Sequence, residues 1–514
     1  MKKILLFSPY YSQRTKHHFY KPTPPIGLMY LSAYLKKKGL ESKIYDLGIF
    51  SRSEIIEENG VFRFGKSDAE ILEIIESEKP DIVGITCMYS IYYHDVVKIC
   101  SLIKNYDKKI KIILGGNHAS SYWKAILRNK DVDIVIVGEG EQTFYQICIS
   151  SEFKNINGIA YRDAEGNAHL NSPRDLLSMM DIPIPDYEAI DLYKYIEIDS
   201  VFSIRHGALG VVSSRGCPAK CKFCTIKAVW GGIWRGQAPN VFVDELELLV
   251  RKYGVKEFAF LDDSASVNKE RWMKISDEII NRKLDIKWST PNGIAHWTLD
   301  EDILDKMKQS GCYRVTFGIE SGNKRIRKYI NKPGSLDRAK RMIAHANKIG
   351  MWTICTHIIG FPDETYEEML DTLNFAKSCD TDFATFYLLI PQPTSDIYPD
   401  FKRLGLLNLD EYFETDNFNT EEFTKINEVL NETGCDTKFF KKEEISKIQK
   451  DFYRKFMIHR GIDYVIKPWK IIRKIRSWED FEYVMRLLME GIKIFRRTLS
   501  EHNNRTGDYL YKEA

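Results

Sequence analysis

Three cysteines, Cys217, Cys221 and Cys224, fall within eight residues in the stretch Arg215-Gly216-Cys217-Pro218-Ala219-Lys220-Cys221-Lys222-Phe223-Cys224. The C-x3-C-x2-C spacing follows directly on an apolar run, Leu209-Gly210-Val211-Val212, that reads as a short strand. Three thiolates held this tightly can wrap one face of a cubic iron–sulfur cluster. No fourth cysteine stands nearby, so a [4Fe–4S] cluster bound here keeps one iron without a protein thiolate. An open metal position admits a substrate or co-substrate, which separates catalytic from structural metal sites. Two plainer readings compete. Structural zinc asks for two separated ligand pairs and closes all four positions; chance clustering is the other, in a chain of ten cysteines. The spacing favours the cluster over both.

The chain around this stretch has 514 residues, enough for two to four domains. Its 44% hydrophobic content suits buried cores, and 75 basic against 72 acidic residues point to neither nucleic acid nor membrane. Met1-Lys2-Lys3 and the short run Ile4-Leu5-Leu6-Phe7 do not read as a signal peptide, and no apolar stretch approaches a membrane span. The remaining cysteines are scattered through apolar or helical contexts, as reduced core residues of a cytoplasmic protein would be.

Ahead of the cysteines, strands read at 3–7, 42–45, 81–86, 111–114 and 133–137 alternate with helical segments. That rhythm predicts a doubly wound, Rossmann-like parallel sheet over residues 1–150. Ligands of such sheets sit beyond the carboxyl ends of the strands, where Gly115-Gly116-Asn117-His118 and Gly138-Glu139-Gly140-Glu141 fall. Residues 151–204, with their proline-punctuated run at 180–187, read as a connector. From 205 to 400 six strand–helix units predict a partial (β/α)6 TIM-like barrel with its chemistry at the strand carboxyl ends. Asp262-Asp263, Asn292, Glu320-Ser321 and His357 lie there, the last just before Gly360-Phe361-Pro362. Each has an ordinary reading as well: a helix cap for the aspartates, a turn for Gly-Phe-Pro, a satisfied core group for His118 or His357. Residues 401–514 read as a helical carboxyl-terminal region, polar and acidic-rich at 407–447.

The cysteine trio, with Phe223 before its last member, resembles the signature of the radical S-adenosylmethionine (SAM) enzymes. In that family the open iron chelates SAM, and an electron from the cluster splits the sulfonium to give a 5′-deoxyadenosyl radical. The resemblance implies SAM contacts from Phe223 and from Asp262 and Asp263 at the second strand. It implies others from Asn292, from Glu320 and Ser321 in Gly318-Ile319-Glu320-Ser321-Gly322, and from Gly360 and Pro362 in the adenine segment. Pro24-Pro25-x-Gly27, Gly115-Gly116-x-His118 and Gly138-Glu139-Gly140-Glu141 resemble the cobalamin-binding domain of the B12-dependent branch. Cobalamin contacts are implied for Pro25, Gly27, Thr86, Gly115, Gly116, His118, Gly138, Glu139, Gly140 and Glu141. The D-x-H-x-x-G motif that supplies a cobalt-ligating histidine in other cobalamin proteins is absent.

The resemblance implies three cofactors: a [4Fe–4S] cluster, SAM and cobalamin. The activity expected is methylation of an unactivated carbon in a small-molecule or natural-product substrate, with flavodoxin or ferredoxin as one-electron donor. Cyclisation or rearrangement of the magnesium-protoporphyrin ester cyclase type is the alternative. A tRNA methylthiotransferase, which would carry a second cysteine trio, and a non-catalytic sensor rank lower. In the resembling family the carboxyl-terminal region closes over the barrel mouth. Here it carries a basic patch, Lys467, Lys470, Arg473, Lys474 and Arg476, beside Trp469. A solvated helical face is the reading favoured for it, ahead of contact with anionic lipid or an acidic substrate.

Overall fold

The computed structural model describes residues 2–13, 22–49, 55–58, 61–198, 202–409 and 434–500, with side chains to 491. Most of the acidic-rich stretch expected at 407–447 lies outside the described residues.

In the first domain Lys43–Asp46, Ile4–Ser8, Ile82–Thr86, Lys111–Gly115 and Ile134–Ile136 stand side by side in that order, all parallel. Parallel neighbours cannot be joined by a hairpin, so the chain crosses over through helices such as Ile26–Lys37, Asp68–Glu78 and Tyr93–Tyr106. Ser67 and Glu70 close a reciprocal capping box at the start of the second of these. Leu5, Leu6, Phe7, Val83 and Ile85 are all buried, because a sheet covered on both faces has no solvent side. Two further strands, Ile159–Arg162 and Ala168–Leu170, add antiparallel to the Ile134–Ile136 edge. The first sheet thus reaches into the stretch read as a connector. A small antiparallel sheet of Tyr11–Gln13, Val61–Phe64 and Ile55–Glu58 has strands too short for any periodicity to announce.

The second domain is the expected partial barrel. Ala208–Val211, Glu257–Phe260, Lys287–Ile294, Cys312–Glu320, Trp352–Ile359 and Phe383–Leu388 run parallel and in unbroken chain order. Each unit steps to the next position, which curls the sheet and leaves helices outside. On the outer face Phe260 stacks on Trp288 at 4.7 Å with Trp272 edge-on to both. One hydrophobic core joins the two domains, running from Met29, Phe144 and Ile159 to Leu209, Phe258 and Trp288.

Part of the carboxyl-terminal region meets the mouth: Lys438 N donates to Pro362 O, and Phe401 and Cys435 share a core with Phe223 and Phe361. Helix Lys442–Ile466 lies along the free edge of the last barrel strand, where Tyr453 Oη accepts from Phe386 N and Gln449 Nε2 donates to Phe386 O. An uncovered edge would offer unpaired backbone groups to other chains. The final helix, Trp478–Ser500, packs Tyr483 and Val484 against Tyr313 and Trp352, near the amino ends of their strands. Among the described residues it closes the floor of the barrel, not the mouth.

Candidate active site

The cysteine loop leaves the first barrel strand through Ser214–Arg215, which pairs with Arg235–Gly236. Gly216 then takes φ +87°, and a Cβ there would stand 2.0 Å from Ile233 O. Only glycine fits this position. Asp263, after the second strand, accepts from Gly216 N at 2.8 Å, and Lys222 N donates to Ile330 O at 3.0 Å. Phe223 packs on a small core with Ile326, Ile330 and Phe361. The three thiols are partly exposed, whereas the other seven cysteines are buried. Burial pushes Cys221 up to about 12; Lys332 pulls it down, and Glu320, Cys224 and Cys217 push it up. Burial likewise raises Cys224, to about 11, with Cys217 and Asp263 adding to it. The trio, Glu320, Lys332 and Asp263 therefore share one electrostatic neighbourhood. Three soft donors in mutual repulsion fit a cationic iron cluster that leaves one iron open. Among the described residues no three His, Cys, Asp or Glu side chains close on one point as they would around a single ion.

Along the fourth barrel strand Val315, Phe317 and Ile319 enter the outer core, so alternation turns Thr316, Gly318 and Glu320 to the lumen. Glu320 holds φ +67° and pairs with Lys332 at 2.8 Å. A Cβ on Gly318 would stand 2.8 Å from Glu320 Oε1 and 3.2 Å from Lys332 Nζ, so glycine makes room for this pair. Ser321 turns away: it is fully buried, with Oγ 3.2 Å from Thr372 Oγ1 on helix Tyr366–Ser378. Gly360, at φ +90°, donates to Glu364 Oε2 at 2.8 Å, and Pro362 O accepts from Lys438 N. Asp262 is buried and accepts from Ser213 N, Ser213 Oγ and Ser214 Oγ, bracing the approach to the cysteines. His357 faces the outer layer, stacked on Phe386 with Nδ1 3.1 Å from Thr385 O. Burial lowers it to about 4. It is a core group held by ring packing and one hydrogen bond, and its buried Nε2 has no partner among the described residues, so it is less fully satisfied than the ordinary reading asks.

A cavity of about 550 Å³ opens between the domains, at the carboxyl ends of both sheets. From the first domain Pro25, Gly27, Thr86, Gly115, Gly116, Gly138, Glu139, Gly140 and Glu141 line it. From the barrel come Ser214, Arg215, Trp230, Leu261, Asp263 and Asn292. Asn292 also donates from Nδ2 to Leu261 O at 2.8 Å, tying the third strand to the second. Around Gly27 nothing lies within 4 Å of a would-be Cβ, and at Gly138 the nearest atom is 3.8 Å away. Bare backbone beside open space suits a broad, flat ligand such as a corrin ring. His118 is not among the lining residues. It is buried, with Nδ1 2.8 Å from Ser90 Oγ and its ring between Tyr93 and Tyr122, and burial lowers it to about 3. Its place is beneath the cavity, in the packing of the first domain.

Arg215 was legible only as the neighbour of a motif. Its guanidinium is buried, 2.6 Å from Glu139 Oε1 and 2.7 Å from Glu141 Oε1. Arg235 joins from 3.0 Å. Burial works against the charge of Arg215, yet Glu141 and Glu139 hold its pKa above the ordinary arginine value. The two glutamates read as cobalamin contacts are thus also the first domain's half of an interdomain clamp. An arginine two residues before the first cysteine of the trio was the signal available in the sequence.

Fold and site together define an enzyme class: a partial barrel with a three-thiol cluster loop at its mouth, faced across a cavity by a doubly wound nucleotide-cofactor-type domain. Residues 211–376 match the radical SAM superfamily and residues 16–147 the B12 binding domain. An uncharacterized methyltransferase of Pyrococcus horikoshii is 31% identical over 500 residues, covering 95% of this chain and 98% of that one. The cytidylyl-2-hydroxyethylphosphonate methyltransferase of Streptomyces wedmorensis is 29% identical, over 91% of this chain and 92% of that one. The radical SAM methyltransferase TsrM of Kitasatospora setae, solved with tryptophan and a SAM analog, shares the fold at a TM-score of 0.65 and 16% identity. It covers 79% of this chain and 76% of that one. The chain belongs to the cobalamin-binding branch of the radical SAM enzymes. Its cofactors are a [4Fe–4S] cluster, SAM and cobalamin.

Proposed function

We propose that this enzyme transfers a methyl group from SAM to an unactivated carbon of a small molecule. The observation that carries the reading is the shared cavity: glycine-rich turns of the B12-binding domain and Asp263 and Asn292 of the barrel line one space beside the cysteine loop. Methyltransferases matched along nearly the whole chain favour methyl transfer over cyclisation. When bound, the three cofactors supply a 5′-deoxyadenosyl radical and a carrier for the methyl group.

The chain's own residues bind and orient. Cys217, Cys221 and Cys224 hold the cluster, and Gly216 and Asp263 set the loop's path. Asp263 and Asn292 line the space where SAM would lie, Glu320 ends the fourth strand paired with Lys332, and Gly360 and Pro362 shape the turn after the fifth strand. Asp262 and Ser321 act through the backbone they brace, so their part is positioning. Pro25, Gly27, Thr86 and the glycines at 115, 116, 138 and 140 offer the surface for cobalamin. Cluster chemistry of this kind draws on a one-electron donor of the flavodoxin or ferredoxin type and suits a reducing cytoplasm.

The test is metal content per chain after anaerobic purification from cells supplied with cobalamin, with Cys217→Ala as control. About four iron and about one cobalt, with iron lost in the variant, support the reading. Four iron without cobalt would leave a radical SAM enzyme whose first domain has another task. Methyl transfer itself is read by the passage of label from methyl-labelled SAM into product.

A further inference from the structure

The exposed apolar side chains at the end of helix Lys442–Ile466 do not fit a solvated charged face. Phe452, Phe456 and Arg460 point into the protein. On the opposite side Ile458, Ile462, Val465 and Ile466 recur at helical spacing and are 47%, 55%, 83% and 65% exposed. Beyond Pro468 the short helix Trp469–Ile472 continues the stripe with Trp469 at 57% and Ile472 at 63%. Six large apolar side chains in a row exceed the scattered exposure ordinary for a surface. Among the described residues nothing covers them.

The charges around this tip indicate what does. Between 458 and 476 the chain has six Lys or Arg against a single Asp. Lys474 is buried on Asp382, and Lys470 and Arg473 pair with Asp380. Lys467, which pairs with Asp463 at 3.1 Å, stands exposed between Ile466 and Trp469, and Arg476 is exposed beside Gly350, four residues after Ile472. In a twofold contact between copies of the chain this basic rim would face itself, and like charges would oppose association. An anionic bilayer surface satisfies both halves, taking the apolar tip below the headgroups and the basic rim against them. Tryptophans such as Trp469 favour that boundary.

We propose that this tip, Ile458 to Ile472 with Lys467 and Arg476, docks the enzyme on an anionic lipid surface. The helix runs from the barrel mouth, where Ile445 lies against Gly360, to the floor, where Tyr464 Oη donates to Asp382 before the last strand. Docking at the floor leaves the interdomain cavity open at the other end. The contact is peripheral, since no described helix is long and apolar enough to cross a membrane. It does not depend on the cofactor reading.

The experiment is cosedimentation of the full chain with phosphatidylcholine vesicles, with and without phosphatidylglycerol. The wild type, Val465→Ser/Trp469→Ser and Lys467→Glu/Arg476→Glu are compared, with circular dichroism and light-scattering mass as controls. The wild type sediments with anionic vesicles and not neutral ones, and salt releases it. Near a membrane each basic residue contributes about 1 kcal/mol, so reversing two lowers binding at least about tenfold. Losing two embedded apolar side chains does the same. Because all four positions are on the surface, both variants keep the wild-type spectrum. Absence of binding by the wild type, equal binding to neutral vesicles, or unchanged binding by both variants would overturn the proposal. So would a wild-type dimer that Val465→Ser/Trp469→Ser turns into a monomer.

Discussion

Arg215 Nη1 lies 2.6 Å from Glu139 Oε1, which ion-pairs the approach to the cysteine loop with a glycine-rich turn of the other domain. Both side chains are buried. Whatever positions the cluster loop thereby also positions one wall of the cavity.

Removing the arginine leaves buried Glu141 without its ion pair, while Glu139 keeps Arg235; breaking a buried pair in this way costs about 3–5 kcal/mol. Arg215→Met is expected to lower the denaturant midpoint accordingly and to reduce retained cobalt. Glu141→Gln in the same chain should recover part of the loss, because the charge left unpaired is then removed. Additive losses in that double-variant cycle would show that the two side chains do not act as a pair.

Gly216→Ala places a methyl group where Ile233 O already stands, at a φ of +87° that alanine rarely takes. The loop must shift, and Cys217 shifts with it. The expected outcome is a folded protein with most of its iron lost, read by iron per chain and by cluster absorbance. Full iron content would mean that Ile233 gives way instead.

His118 separates packing from binding. Buried between Tyr93 and Tyr122 and absent from the cavity lining, it should matter for stability alone. His118→Ala is expected to destabilise by about 2–4 kcal/mol, as large-to-small changes in cores do. The cobalt stoichiometry of the folded protein should stay unchanged. A loss of cobalt with intact stability would return His118 to the binding residues.

Much of this was legible because repeating patterns carry it. Alternating strands and helices revealed both sheets, and the strand Trp352–Ile359 falls where its apolar run begins and ends. The cysteine trio is a local pattern and needed no tertiary information. Orientation was harder to read. His357 sits on a strand whose residues are buried on both sides, so nothing in the run tells lumen from outer layer. Ser321 follows the lumen-facing Glu320 but is drawn out of the lumen by Thr372, fifty-one residues further on. The placement of the final helix at the barrel floor rests on Tyr313 and Trp352, contacts that no local pattern encodes.

Glu245 gives the fold a pH dependence of its own. It sits fully buried on the inner face of helix Pro239–Tyr253 and accepts from Tyr187 Oη at 2.6 Å. Burial raises its carboxyl from 4.5 to about 7; the Tyr187 hydrogen bond opposes this and the charge of Asp262 adds to it. Tyr30 also feels this carboxylate, from the first-domain helix Ile26–Lys37. A carboxyl with a raised folded pKa binds its proton more tightly in the native state. Its contribution to stability is full below pH 4.5 and is lost as pH rises through about 7. The two pKa values imply a swing on the order of 3 kcal/mol between those limits. Glu245→Gln keeps the shape and removes the titration. The variant's unfolding midpoint should therefore vary less than the wild type's from pH 5 to pH 7.5, and the wild type should lose stability relative to it across that window. Parallel profiles for the two proteins would show that the carboxyl is ionised in the fold throughout.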